Sequence, residues 1–283
     1  MKGNIVSFEA EYFLTKEKEA REAMQNEDFE KTLNIIKEPL FKIEGLDDVE
    51  LYCPQNAFDQ IIFLNLLGKE VHQTSFSKIN YYEFYLIAAS SYVYLNNLEK
   101  AKEYYEKAIK LNPASSVARI SKLKIDIKTG NFENVLNDIK DAMFFAYSRN
   151  DIGEIFEIAG DYLSHENDYE MALVAYHFSI VYKVDDSVAV KITDTACKGN
   201  IDDDSKDWLS DYYMKKFYNT YKIPLMPNEK LVLLAESMGK DAFKNKAYGV
   251  SMFSFNIAYN LTLDEKYKKE LDEVSIIAKS SRK

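Results

Sequence analysis

The chain has 283 residues and a formal net charge of −10, from 46 acidic and 36 basic side chains. This negative charge argues against nucleic acid as a main ligand, because phosphate binding depends on a concentrated positive surface. Hydrophobic residues make up 47% of the chain, and its 9 glycines and 5 prolines are too few for a fold of many strands and tight turns, so helices are favoured.

The chain carries no signal for a membrane or for an oxidising compartment. Its longest apolar runs, such as IIFLNLL at 61–67, fall far short of the roughly 20 residues that span a bilayer. Cys53 and Cys197 are too few for a disulfide framework, and neither lies in a CxxC motif. We therefore expect a cytoplasmic protein without membrane partners.

Residues 1–80 hold one hairpin and one insertion. In 1–43, small and apolar residues recur at helical spacing around a polar turn at 26–28, which predicts a degenerate N-terminal hairpin. Residues 44–80 break this pattern. They predict an irregular insertion with one helix, from Gln55 to Leu67, followed by the loop-like VHQTSFSKIN at 71–80.

Residues 81–115, YYEFYLIAASSYVYLNNLEKAKEYYEKAIKLNPAS, have the clearest period. Two helical segments are separated by the turn formers Asn96 and Asn97, and Pro113 ends the second segment because proline cannot continue a helix. Small and aromatic residues alternate at three- and four-residue spacing, so each segment has one packing face. The residues at these positions are Tyr85, Ala89, Tyr92, Ala101, Tyr105, Ala108 and Pro113.

This segment resembles a tetratricopeptide repeat, a helix-turn-helix unit of roughly 34 residues. With Tyr82 as the first position, the residues above fill the hallmark positions, and only Ala88 departs, where leucine is usual. One repeat buries its faces only against its neighbours, so the resemblance predicts further repeats. The insertion at 44–80 resembles a segment of bacterial proteins of this family, so the resemblance predicts a bacterial protein.

Further repeats follow with decreasing similarity. Residues 154–183 place Gly160, Ala172 and Tyr176 at hallmark positions, and Gly239 takes such a position nearer the C-terminus. The regions 82–184, 186–262 and 264–283 are interpreted as the best-defined repeats, degenerate repeats and a C-terminal capping helix. The predicted fold is a single all-α domain over 1–283, a right-handed α–α superhelix of antiparallel helix hairpins.

Catalytic and cofactor motifs are missing from the sequence. It has no G-x-S-x-G, P-loop, G-x-G-x-x-G, H-E-x-x-H or paired CxxC pattern, so we expect no enzyme, no metal and no cofactor. A cryptic hydrolase or metal protein is the third hypothesis. It would use His165 with Glu166 and Asp168, or the acidic run 202–204.

The resemblance implies a scaffold that binds a protein or peptide on its concave face. The resemblance places the groove positions of 82–115 at Glu83, Leu86, Ser90 and Val93, and those of 154–183 at Glu154, Glu157, Asp161 and Ser164. The acidic members favour a basic or mixed peptide, and they argue against the acidic tail of a chaperone, which relatives hold with lysine, asparagine and arginine. The alternative is a cytoplasmic peptide-sensing regulator without a DNA-binding domain of its own.

Overall fold

The computed structural model describes residues 2–45, 51–68 and 75–280. These residues form fourteen α-helices, one short 3-10 helix and two short strands, so the predicted all-α class of helix hairpins is confirmed. The right-handed superhelix and the single domain stay predictions. The chain divides into two compact units, Met1–Ile125 and Asp126–Lys283, with the boundary inside one helix.

The first unit consists of two helix hairpins and the insertion between them. Helices α1 and α2 form the first hairpin and α4 and α5 the second, and α2 also packs against α4. The bounds are α1 Lys2–Gln25, α2 Phe29–Glu44, α3 Ala57–Leu66, α4 Tyr81–Tyr94, α5 Leu98–Leu111 and α6 Ser116–Thr129, the last of which crosses the boundary.

The insertion contains α3 and a two-stranded parallel sheet. Strands β1 (Leu51–Tyr52) and β2 (Ser75–Phe76) pair with each other, so part of the predicted loop 71–80 is a strand. Helix α3 begins after Asn56, whose side chain accepts hydrogen bonds from the backbone of Phe58 and Asp59. His72 lies outside the described residues.

The described part of the insertion is attached to the C-terminal end of α5. The backbone N–H of Cys53 donates to the carbonyl of Leu111 at 2.7 Å. The amide of Asn112 donates to the buried carboxylate of Asp59 at 2.7 Å. These contacts lie at the end of the hairpin where α5 finishes and α4 begins, and the side chain of Gln55 also donates to Asn80, the residue that caps α4.

The second unit is built around two closely packed hairpins. Helices α8 and α9 form one and α12 and α13 the other, while α10 and α11 both pack against α9 and α14 packs against α13. None of the helices in the described ranges has the length and apolarity needed to cross a membrane. The bounds are α7 Val135–Phe145, α8 Arg149–His165, α9 Tyr169–Tyr182, α10 Asp186–Gly199, α11 Asp211–Tyr221, α12 Glu229–Lys244, α13 Tyr248–Thr262 and α14 Glu265–Ser280.

Helix α11 begins only at Asp211, after a short 3-10 helix and a buried tryptophan. Ser205 belongs to the 3-10 helix Asp203–Ser205. Trp208 lies between the 3-10 helix and α11. Its ring is buried and its Nε1–H donates to Asp203 at 2.7 Å, so the chain does not form one continuous helix here. Pro224 and Pro227 lie between the end of α11 and Asn228, which caps α12.

The turns inside four hairpins share one backbone conformation. A residue with positive φ is followed by the residue that caps the second helix, and the positive-φ residues are Glu27, Asn96, Asn167 and Lys246. Asp28, Asn97 and Asp168 each accept a hydrogen bond from the backbone N–H three residues later. Ala247 has similar φ and ψ angles but no side chain that can cap α13.

Ala247→Asp is expected to raise the free energy of unfolding by about 1 kcal/mol, because it supplies the cap that the other turns have. Urea denaturation followed by circular dichroism measures the change. Ala247→Asn should give a similar gain if capping rather than charge is the cause, and Asn97→Ala should give a loss of similar size. A lower stability of Ala247→Asp would contradict this account.

Candidate functional site

Close contact between α8 and α9 positions the predicted groove residues of the second unit. Gly160 faces the ring of Tyr176, and a Cβ on Gly160 would lie 2.4 Å from the nearest ring carbon. The hydroxyl of Ser179 donates to the carbonyl of Gly153 at 2.8 Å. Asp161 and Ser164 lie beside this contact, on the part of α8 that remains half-exposed.

A cleft with a volume of about 360 Å³ lies beside this part of α8. The end of α6, the following turn, α8, α9 and α10 all contribute to it. Two of the residues predicted for the groove, Asp161 and Ser164, line this cleft. The other lining residues are Ile127, Phe132, His165, Tyr176, Lys191, Asp194, Thr195 and Lys198.

The acidic residues of α8 are paired with lysines. Lys191 of α10 contacts Glu157 at 2.8 Å and Asp161 at 2.7 Å. Lys183, just after α9, contacts Glu157 at 2.7 Å and Asp185 at 3.0 Å. The negative charge expected at the groove positions Glu157 and Asp161 is therefore largely neutralised, because neighbouring segments supply cations that the spacing within α8 does not reveal.

These contacts shift the protonation equilibria of the network. Burial alone would raise the pKa of Glu157, but hydrogen bonds from Lys183 and Lys191 outweigh it and lower that pKa. Burial opposes the charge of Lys191, yet its contacts with Asp161 and Glu157 raise the pKa of the ammonium. Burial and the charge of Asp161, which accepts from the Tyr176 hydroxyl at 2.8 Å, raise the pKa of Tyr176. Glu157, Lys183 and Lys191 therefore stay charged near neutral pH.

Two charged residues of the cleft are available to a ligand. Asp194 and Lys198 of α10 are exposed, and within the described residues neither side chain forms a hydrogen bond or an ion pair. Sequence reasoning missed both, since they lie in the region 186–262 of degenerate repeats, where no groove positions were assigned. Their spacing on the helix, with Lys191 and Thr195, was the available signal.

His165 lies at the end of α8 with its ring against Phe132, at 4.0 Å between ring centroids. Its Nδ1 is 3.4 Å from the carboxylate of Glu166, while Asp168 caps α9 instead of joining them. Across the described residues, no three histidine, cysteine or acidic side chains are arranged to hold a metal ion. In the acidic run 202–204, Asp203 accepts from Trp208 and contacts His177 at 3.2 Å.

The remaining predicted groove residues lie elsewhere. Glu154 is half-buried near the start of α8, where it accepts from Asn150 at 3.1 Å. In the first unit, Glu83 forms an ion pair with Arg21 of α1 at 2.7 Å, and burial raises the pKa of Glu83. Leu86 packs partly against the core, and the hydroxyl of Ser90 lies 3.4 Å from that of Tyr105.

Tyr81 and Tyr82, at the start of α4, are both buried. Tyr81 packs edge-on against Phe13 of α1, with ring centroids 5.1 Å apart. The hydroxyl of Tyr82 is hydrogen-bonded to that of Ser115 at 2.8 Å. Both side chains are therefore covered, Tyr81 by α1 and Tyr82 by the turn that precedes α6.

The hallmark residues lie mainly in the cores of the two units. Tyr92 is only half-buried, because it faces a cleft beside Tyr104, and Pro113 is also half-buried after the end of α5. The buried hallmark residues are Tyr85, Ala89, Ala101, Tyr105, Ala108, Gly160, Ala172, Tyr176 and Gly239.

The family comparison agrees with the geometry of α4 and α5. The family model described as tetratricopeptide repeat matches residues 82–115. The chain contains a tetratricopeptide repeat. No curated protein matches the chain. Tetratricopeptide repeats bind proteins or peptides and are typical of non-enzymatic scaffolds, so the repeat and the helical fold indicate a protein-interaction function. That the protein is bacterial stays a prediction.

Proposed function

We propose that this protein is a non-catalytic, cytoplasmic scaffold that binds a peptide or protein segment in the cleft lined by α6, α8 and α10. The observation that carries the proposal is that this cleft contains Asp161 and Ser164, two positions at which the repeat family contacts its ligands. Its volume of about 360 Å³ suits a few side chains of an extended segment.

The charges of the cleft favour a segment that carries both signs. Lys191 neutralises much of Glu157 and Asp161, whereas Asp194 and Lys198 are exposed and unpaired within the described residues. A ligand with one basic and one acidic side chain would complement that last pair. The proposal therefore names a mixed-charge peptide, with neither nucleic acid nor membrane as partner.

The proposed ligand is not the acidic tail of a chaperone, because the cleft lacks the side chain that would hold a terminal carboxylate best. None of the residues that line the cleft is an arginine, which is the side chain best suited to hold a carboxylate through two hydrogen bonds. Glu83 in the first unit is already paired with Arg21. Nanomolar binding of an acidic peptide with a free C-terminal carboxylate would contradict this part of the proposal.

The test uses a display library of short random peptides against the full chain. Peptides recovered with the wild type are measured by fluorescence anisotropy against the double variant Asp194→Lys, Lys198→Glu, which exchanges the two free charges. We expect mixed-charge peptides whose affinity falls about tenfold, or about 1.4 kcal/mol, in this variant.

The matched control exchanges the exposed pair on α12, Asp241→Lys with Lys244→Glu, and also leaves the net charge unchanged. It should bind the recovered peptides as the wild type does. Equal affinities for both double variants would place the binding surface elsewhere, and a library that yields no binder would contradict peptide binding by this cleft.

A further inference from the structure

The first unit has a second cleft, on the side of α4 opposite the predicted groove residues. It lies between α2 and α5 and has a volume of about 430 Å³. An adjacent hollow of about 340 Å³ shares Glu44 with it. Tyr92 of α4 lines the cleft and Tyr85 lines the hollow. Each tyrosine is two residues along α4 from a predicted groove residue, Tyr92 from Ser90 and Tyr85 from Glu83. Two residues correspond to a rotation of about 200° around the helix, so these tyrosines lie on the opposite side.

The walls of this α2/α5 cleft are apolar and aromatic. Leu33, Leu40 and Phe41 of α2 form one side, and Phe41 is 77% exposed although it lines the cleft. On the other side the rings of Tyr92 and Tyr104 are stacked, with centroids 5.6 Å apart. The exposed ring of Phe41, together with the rings of Tyr92 and Tyr104, offers contact area for an apolar side chain of a partner.

The charges around the α2/α5 cleft are positive. Glu44, the acidic residue that lines it, pairs with Lys107 at 2.7 Å, and Lys107 also pairs with Glu103 at 2.8 Å. Lys37 of α2 and Lys110 of α5 have no acidic partner among the described residues. Lys100 lies over the ring of Tyr92, 5.2 Å from its centroid. This local excess of cations contrasts with a chain whose net charge is −10.

We propose that the α2/α5 cleft binds an acidic amphipathic segment of a partner protein. An apolar side chain of the segment packs against Phe41 and Tyr104, and its carboxylates lie near Lys37 and Lys110. Apolar contact supplies the affinity, while charge complementarity selects acidic over basic segments. This site is independent of the cleft in the second unit, so each can fail without the other.

The test uses a synthetic helical peptide with leucine and phenylalanine on one face and glutamate on the other. A second peptide carries lysine in place of every glutamate. We expect micromolar binding of the acidic peptide to the full chain, with weaker binding at high salt. The double variant Phe41→Ser, Lys37→Glu changes two exposed residues and should weaken binding about tenfold.

The matched control is Leu14→Ser with Lys18→Glu, an exposed apolar and basic pair at the same spacing on α1. It should keep wild-type affinity. Equal affinity of both double variants, equal binding of the lysine peptide, or no binding of the acidic peptide would overturn the proposal. Concentration-dependent dimers that Phe41→Ser abolishes in sedimentation would also overturn it, because the occupant would then be a second copy of the chain.

Discussion

Replacing Gly160 with alanine is expected to lower the free energy of unfolding by about 1–3 kcal/mol. The added methyl would lie 2.4 Å and 2.5 Å from two ring carbons of Tyr176. That ring is 2% exposed and its hydroxyl is bonded to Asp161, so it cannot move without breaking other contacts. The loss from overpacking should exceed the roughly 1 kcal/mol that alanine gains in helix propensity.

Urea denaturation followed by the fluorescence of Trp208 measures this change, since the chain has a single tryptophan and it lies in the same unit. Gly249→Ala is the matched control, because a Cβ there meets nothing within 4 Å, and stability should rise by about 0.5 kcal/mol. The stability of Gly239→Ala should be intermediate between those of the two variants, since the added methyl would lie 2.9 Å from the ring of Phe255. A Gly160→Ala protein as stable as the control would show that the hairpin opens at little cost.

The sequence was sufficient to predict the helix hairpins because their packing is local. Gly160 faces Tyr176 and Gly239 faces Phe255 at the same separation along the chain, and the hallmark pair Ala89 and Tyr105 has that separation too. A small residue that packs against a large ring can therefore be recognised in the sequence by this constant separation. The caps after each turn are equally local and equally readable.

Contacts between helices far apart in the chain were not predictable in this way. The charge of the groove residues depends on Lys191, which lies beyond the hairpin that carries Glu157 and Asp161, in a region without hallmarks. The burial of Tyr82 likewise depends on Ser115. Propensity and spacing describe one helix at a time, so the partners of such side chains become visible only in the folded chain.

The contacts that attach the insertion to the repeat are also long-range, and the periodicity of the sequence does not reveal them. Asp59→Ala is expected to lower the free energy of unfolding by about 2–4 kcal/mol, because it removes the acceptor of the buried Asn112 amide and of the partly buried N–H of Gln55. Asp59 is 1% exposed and accepts from the backbone of Gln55 at 2.9 Å and from Asn112 at 2.7 Å. Hydrogen exchange should show the loss first at α3 and at the C-terminal end of α5.

A double-mutant cycle separates this bond from the other effects of the substitution. In an Asn112→Ala background, Asp59→Ala should cost less than in the wild type, with a coupling of about 1.5–3 kcal/mol, as for a hydrogen bond to a charged group. Asp241→Ala, at an exposed aspartate, should change stability by no more than about 0.5 kcal/mol. If Asp59→Ala cost the same in both backgrounds, Asn112 would not be what holds α3 to the repeat, and the backbone contact between Cys53 and Leu111 would have to hold the insertion instead.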